Sequence, residues 1–194
     1  MTIRLEQMHP AMVHVPIAML PVAIGADLLG AVADSDGMRS LARGAIATAA
    51  AGTVAAAVTG LIAGEEVNVE GRSRDRLMTH RNLNAVVTLT TCCLAMWRAR
   101  HDRPNGAYFA AGLAGMGILA YTAYLGGQLV YDTGVGVGPA KGVYRPDAPV
   151  LPDQAGEFVR DAATDLAHGA GHMVEELGQG YVIPAIAGKR NPVA

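Results

Sequence analysis

Four apolar stretches, Met12–Ala33, Leu41–Ala63, Leu83–Trp97 and Ala107–Tyr131, fill most of the chain between Met12 and Tyr131 and carry almost no charge. Such runs fix the solvent before anything else can be read. A spanning helix needs about 20 apolar residues, and in a bilayer only helices and closed barrels satisfy every backbone polar group. Three stretches reach that length directly. The third does so only if His80, Arg81 and Asn82 open its helix. The sequence therefore predicts an all-α, multi-pass integral membrane protein, a four-helix up-down bundle.

Composition agrees with that solvent. The 194 residues are 51% hydrophobic and only 16% charged, and they include 24 glycines, a small residue that lets membrane helices pack closely. A net charge of -2 leaves no electrostatic footprint for nucleic acid. Cys92 and Cys93 are adjacent inside a span, where helical neighbours point apart, so they read as small packing residues rather than a disulfide. The N-terminal segment is not strongly basic and its long apolar run contains Asp27, so helix one is read as retained rather than cleaved.

The chain divides into a transmembrane domain, residues 1–137, and an extramembrane tail, residues 138–194. Helix one is expected to start at His9-Pro10, because proline suits the first helical position, and to kink at Pro21. On helix two, Gly44, Thr48, Gly52, Ala56, Gly60 and Gly64 recur every fourth residue along one face. Such a face suits tight helix packing or room for a flat macrocycle, and both readings stay open. Glu65 to Thr79 reads as a polar loop, Gly134 to Gly142 as a Gly-rich exit, and Tyr144 to Pro152 as an extended Pro-rich segment. From Asp153 to Gly178 an amphipathic helix is predicted. Val159, Ala162, Ala163, Leu166, Ala170, Met173, Val174 and Leu177 share one side, and Asp161, Asp165, His168, His172 and Glu175 the other. Too polar to span, it should lie on the membrane or on the bundle. Tyr181 to Ala194 reads as a loose arm.

Alternating helices gather His9, His14, Glu65, Glu66, His80, Tyr131 and Asp132 at one face of the membrane. Arg39, Arg43, Arg98, Arg100, His101 and Arg103 mark the other. Arg4, Arg72, Arg74, Arg76, Arg81 and Lys141 add positive charge to the first face, so charge bias does not orient the chain.

His14, one turn inside helix one, is an ionisable group among apolar neighbours and should face the bundle interior or a polar cavity. His80 opens helix three at a comparable depth. Helices one and three lie on a bundle diagonal of roughly 14 Å, across which two imidazoles can hold one iron. That is how helical bundles bind haem b, with His14 and His80 as axial ligands, His9 in reserve, and Arg72, Arg74, Arg76 or Arg81 on propionates. Plainer readings stand beside it. His14 could accept a role bonding carbonyls freed by Pro16 or Pro21, and His80 could be an ordinary interfacial residue. A non-haem metal on His9, His14, His80, Glu65 and Glu66 is a further option, as is no cofactor at all. His168 and His172 share a helix face but sit in an acidic, solvated stripe, and His101 reads as surface. No nucleophile triad or dinucleotide fingerprint appears. Gly134 to Gly138 is Gly-rich but follows a membrane helix rather than a strand. Whether the chain is an enzyme stays open, with an electron-transfer or accessory role preferred.

His9-Pro10 followed by Val13-His14-Val15-Pro16-Ile17-Ala18 resembles the opening of a bacterial membrane family, the domain of unknown function 2231. Thr59-Gly60, His80 and Gly126-Gly127-Gln128-Leu129-Val130-Tyr131 are similar to it as well. The resemblance covers Met8 to Val137, with Val15 where the family carries Phe. It implies a four-helix membrane unit whose relatives occur beside or fused to c-type cytochrome modules. From it follows the expectation of a redox protein of the bacterial inner membrane, passing electrons between quinol and a cytochrome partner, with the histidine face periplasmic. The alternative is a cofactor-free accessory or structural subunit of a larger membrane complex. A transporter is a third reading, resting on Asp27, Glu65 and Glu66.

Overall fold

The computed structural model describes residues 3–137, 142–143 and 148–187. Lys141, Gly138 in the Gly-rich exit, Tyr144 at the head of the Pro-rich segment and residues 188–194 of the arm lie outside the described residues. Of those described, 80% are helical and none forms a strand. The helices are α1 (Leu5–Met12), α2 (His14–Val32), α3 (Asp36–Glu66), α4 (Gly71–Arg100), α5 (Gly106–Tyr131), α6 (Ala155–Gly178) and the single turn α7 (Pro184–Ala187).

Three helical segments among the described residues are long and apolar enough to cross a membrane: Leu5–Val32, Asp36–Glu66 and Gly106–Tyr131. Helix α4 has the length, at 30 residues, but polar residues fill its first half. The apolar part, Leu83–Trp97, matches the third stretch read from the sequence.

Two expectations are corrected. Helix one does not begin at His9-Pro10. It begins at Leu5, carries Pro10 inside α1, and breaks at Val13 before restarting as α2. Pro16 has no N–H to give the carbonyl of Met12. It is tolerated as the third residue of a new helix, where donors lack intrahelical partners anyway. Helix α2 then runs on through Pro21. The second correction concerns the supposed loop from Glu65 to Thr79. Helix α3 runs through Glu66 and α4 starts at Gly71, which takes a left-handed φ of +52° that glycine adopts without strain. Hydropathy reports which residues meet lipid, not which are helical, so the polar first turns of α4 were invisible to it.

The chain forms two compact units, one made of Met12–Ala56 and Asn84–Tyr121, the other of Met1–Ala11, Ala57–Leu83 and Thr122–Ala194. The tail shares its unit with the end of α3, the start of α4 and the end of α5. In the first unit, Leu20, Ile24, Ile46, Val87, Leu94 and Leu119 form a buried apolar core. Small residues bring its helices together. A β-carbon on Gly52 would strike Val15 and Pro16, and one on Gly112 would strike Ile24.

In the second unit α6 is docked. Phe158 is buried against Leu5 and Ile62, with Met8, Leu151, Ala162 and Leu166 around them. Ile3 and Leu151 exchange two backbone hydrogen bonds, of 3.1 and 3.0 Å. Gly169 sits so close to α3 that a β-carbon there would lie 2.7 Å from the carbonyl oxygen of Leu61. The expected two-sided helix is therefore corrected. Phe158, Asp165 and Gly169 are buried, Asp165 among them although it was read as solvent-facing, while Val159 and Val174 are 66% and 72% exposed. The Phe158 cluster, the close approach of Gly169 to α3 and the ion pairs of Glu176 with α4 together decide which side docks.

Candidate functional site

Six of the seven residues expected to gather at one membrane face, His9, Glu65, Glu66, His80, Tyr131 and Asp132, belong to the unit that holds the tail. His14 belongs to the other unit, as the first residue of α2, and its side chain is exposed rather than turned inward.

Of the three candidate histidines, His9 and His80 stand together. Their rings stand edge to face, with centres 5.9 Å apart and planes at 90°. Glycines seat both. A β-carbon on Gly60 would fall 2.9 Å from Nδ1 of His9, and one on Gly126 would fall 3.1 Å from Cε1 of His80. The glycines of α3 and α5 are thus filled by imidazoles rather than left as empty clefts. At Gly52 and Gly60 the smooth face of α3 serves packing. Gly44 and Gly64 have nothing within 4 Å of where a β-carbon would stand.

His80 is oriented by α5. Its Nδ1 lies 2.8 Å from the carbonyl oxygen of Thr122, which can only accept, so Nδ1 carries the proton. In the neutral ring the lone pair is then on Nε2. Metal-binding histidines are fixed in the same way, with the second nitrogen donating to a carbonyl. Two imidazoles on opposite sides of one ion, with metal–nitrogen bonds of about 2 Å, have centres on the order of 6 Å apart. The centre separation of this pair, 5.9 Å, is of that order; with the rings edge to face, one of them has to turn before a nitrogen of each meets one ion.

Different groups ask for different donor sets. Among the described residues no cluster of three or more His, Cys, Asp or Glu is placed to hold a metal ion. Zinc in structural sites takes four protein ligands, whereas haem asks the protein for no more than two axial groups. A pair of imidazoles suits the latter.

Three of the four arginines expected at propionates, Arg74, Arg76 and Arg81, have protein partners, and Arg72 is exposed. Arg81 holds Glu176 at 2.6 Å and Arg74 holds the other oxygen of Glu176 at 3.2 Å, so α6 is clamped to α4 by one carboxylate. Arg76 pairs with Asp132 at 3.3 Å. His172 donates to Glu65 across 3.0 Å, whereas His168 is exposed. Two further polar residues of α4 tie down the arm, which is not loose at its start. The amide of Asn82 donates to the carbonyls of Tyr181 and Val182 at 3.0 and 2.8 Å, and Thr79 accepts the backbone N–H of Ala185 at 3.0 Å. Sequence reasoning missed Glu176, Asn82 and Thr79. Their signal was an uncharged or paired polar residue next to an apolar run, which needs a partner once buried.

The other unit holds a separate polar centre. Asp27 and Arg98 have fully buried side chains and form a forked pair, with Nε 3.0 Å from both carboxylate oxygens and Nη2 2.9 Å from one. The remaining Nη1 donates 2.5 Å to the carbonyl of His101. Arg98, counted in the sequence among the residues marking the other membrane face, is the counter-ion of Asp27. His101 is exposed as expected and stacks on Trp97, ring centres 4.2 Å apart.

A family model described as "Predicted membrane protein (DUF2231)" matches residues 6–139, a span that includes His9, His14, His80 and Arg81 and ends before α6. No curated protein and no solved structure matches the chain.

Proposed function

The chain belongs to the DUF2231 family of predicted membrane proteins, and from that premise we propose that it is a redox protein binding haem b through His80. The observation that carries the reading is the perpendicular His9–His80 pair, 5.9 Å between centres, with His80 held by the carbonyl of Thr122. Haem so bound would supply one-electron chemistry, its potential set by axial ligands and burial. The residues of the chain do the rest. Thr122 fixes the His80 ring, Gly60 and Gly126 give the two imidazoles their seats, and Thr79 and Asn82 hold the arm beside them. His9 is the second ligand favoured by this spacing, and His14 is the alternative. In this reading α4 is the fourth span of an up-down bundle in the bacterial inner membrane. The histidine face is periplasmic, where electrons pass from quinol to a c-type cytochrome.

Absorption spectra of the full chain, purified in detergent and titrated with haemin, test this. The wild type is expected to give a low-spin bis-imidazole spectrum. His80→Ala should abolish it, and of His9→Ala and His14→Ala, the first should do likewise while the second leaves it intact. The reverse pattern would restore His14 as the ligand. A His80→Ala protein with an unchanged low-spin spectrum would remove His80 as a ligand, and a wild type that gives no low-spin spectrum would sink the haem assignment. The filled glycine seats at Gly52 and Gly60 favour a second reading, a cofactor-free accessory subunit, for which the titration leaves only the spectrum of free haemin and the chain co-purifies with a membrane partner.

A further inference from the structure

Helix α6 has three faces, not two. Phe158, Ala162, Asp165, Gly169 and Glu176 are buried or half-buried and meet the rest of their unit. Arg160, Thr164, His168, Gly171 and Glu175 are exposed and polar or small. Between these lies a third stripe, Val159, Ala163, Ala167, Ala170 and Val174, at steps of four, four, three and four residues, every member exposed. That spacing keeps the five on one line of a helix. A stripe of this kind on a surface bathed by water alone would be left without cover over four turns.

We propose that this stripe is seated in the bilayer interface, so that α6 lies in the membrane plane, edge-on, clamped to α4 by Glu176 and wetted on its Arg160–Glu175 face. The occupant is lipid because the same unit holds the ends of two helices apolar and long enough to span, α3 and α5, and α6 is docked against the first of them. In the same unit, the end of the spanning helix α5 exposes Tyr124 at 59%, Val130 at 40% and Tyr131 at 90%. Tyrosines at the end of a span mark the headgroup level. An amphipathic helix at that level buries only its apolar edge, to the boundary of headgroups and acyl chains. The stripe is weak, two valines and three alanines, and would not hold a free helix. It need not, because Phe158, Gly169 and Glu176 already hold α6 in place. Its chemistry fits a surface that is merely apolar and fluid, since alanines offer a protein partner no anchor to fill a pocket.

The test uses the full chain in phosphatidylcholine–phosphatidylglycerol vesicles, with Cys92→Ser and Cys93→Ser removing the native thiols. Nitroxides are attached at Val174→Cys and, separately, at Ala163→Cys. On the stripe, collisions with oxygen should exceed those with a water-soluble nickel chelate several-fold. At Thr164→Cys and His168→Cys on the adjoining face the order should reverse, which also reports that α6 remains folded. If nickel prevails on the stripe as it does at His168, the stripe faces water and the proposal is wrong. If both reagents are excluded and the spectra broaden by spin–spin contact, the occupant is a second copy of the chain, and the bilayer assignment falls equally. None of these readouts depends on haem.

Discussion

Arg98→Ala is expected to cost about 3–5 kcal/mol of folding stability, because it strands the Asp27 carboxylate in an interior with no exposure. Asp27→Ala should cost a similar amount by leaving the guanidinium with only the carbonyl of His101. The two losses are not expected to add. Once one partner is gone, removing the other discards a charge rather than a bond. The double variant Asp27→Leu/Arg98→Met, which fills the volume with apolar groups, should therefore recover most of the loss. Thermal unfolding in detergent, followed by circular dichroism, measures all four corners of the cycle. Additive losses would mean that the pair is solvated and that its burial is not what holds α2 to α4.

The second large effect is on α6. Gly169→Ala places a β-carbon 2.7 Å from the Leu61 carbonyl oxygen and 3.2 Å from its carbon, both backbone atoms that cannot swing away. The helix must lift, and lifting it also loosens the Phe158 contact with Leu5 and Ile62 and the grip of Arg74 and Arg81 on Glu176. Burial of a phenylalanine alone is worth about 3–5 kcal/mol in the large-to-small substitution series. Gly171→Ala, two residues along, meets nothing within 4 Å and should stabilise the helix by about 1 kcal/mol through propensity. Limited trypsin digestion at Arg160, whose side chain is 75% exposed, reads the difference. Cleavage should quicken in Gly169→Ala and slow in Gly171→Ala. Equal rates in both variants would show that Gly169 does not seat the helix.

The apolar stretches gave α3 and α5 nearly to their ends, and the periodicity after Asp153 gave α6 to within two residues, because hydropathy and period are local properties. What failed was non-local. Asp27 was visible as a charge inside an apolar run, but its partner lies 71 residues away and no spacing rule connects them. Arg98 beside Trp97 at a helix end also fits a local role at the membrane interface, which hides its part as a counter-ion. Matching depths along straight helices pairs His14 with His80; the break at Val13 gives His9 a short helix of its own and sets its ring edge to face with that of His80. A single proline, Pro16, separates the two outcomes. The docking of α6 turned on Glu176, one acid among several in a stripe that periodicity could only label polar.

The Asp27–Arg98 pair also sets a clock on how the chain is made. Helix α2 leaves the ribosome first, and its counter-ion follows only after 71 more residues. At synthesis rates of about 5–20 residues per second, Asp27 waits roughly 4–14 seconds for Arg98. During that wait α2 must either hold an acid in the bilayer, at an insertion cost of about 2.5–3.5 kcal/mol, or linger beside the translocon until α4 arrives. The remaining apolar residues of α2 have to carry that deficit. Helix α2 and helix α4 are therefore a biogenetic unit: truncating the nascent chain before Arg98 should leave α2 poorly retained in the membrane, although every residue of α2 is present.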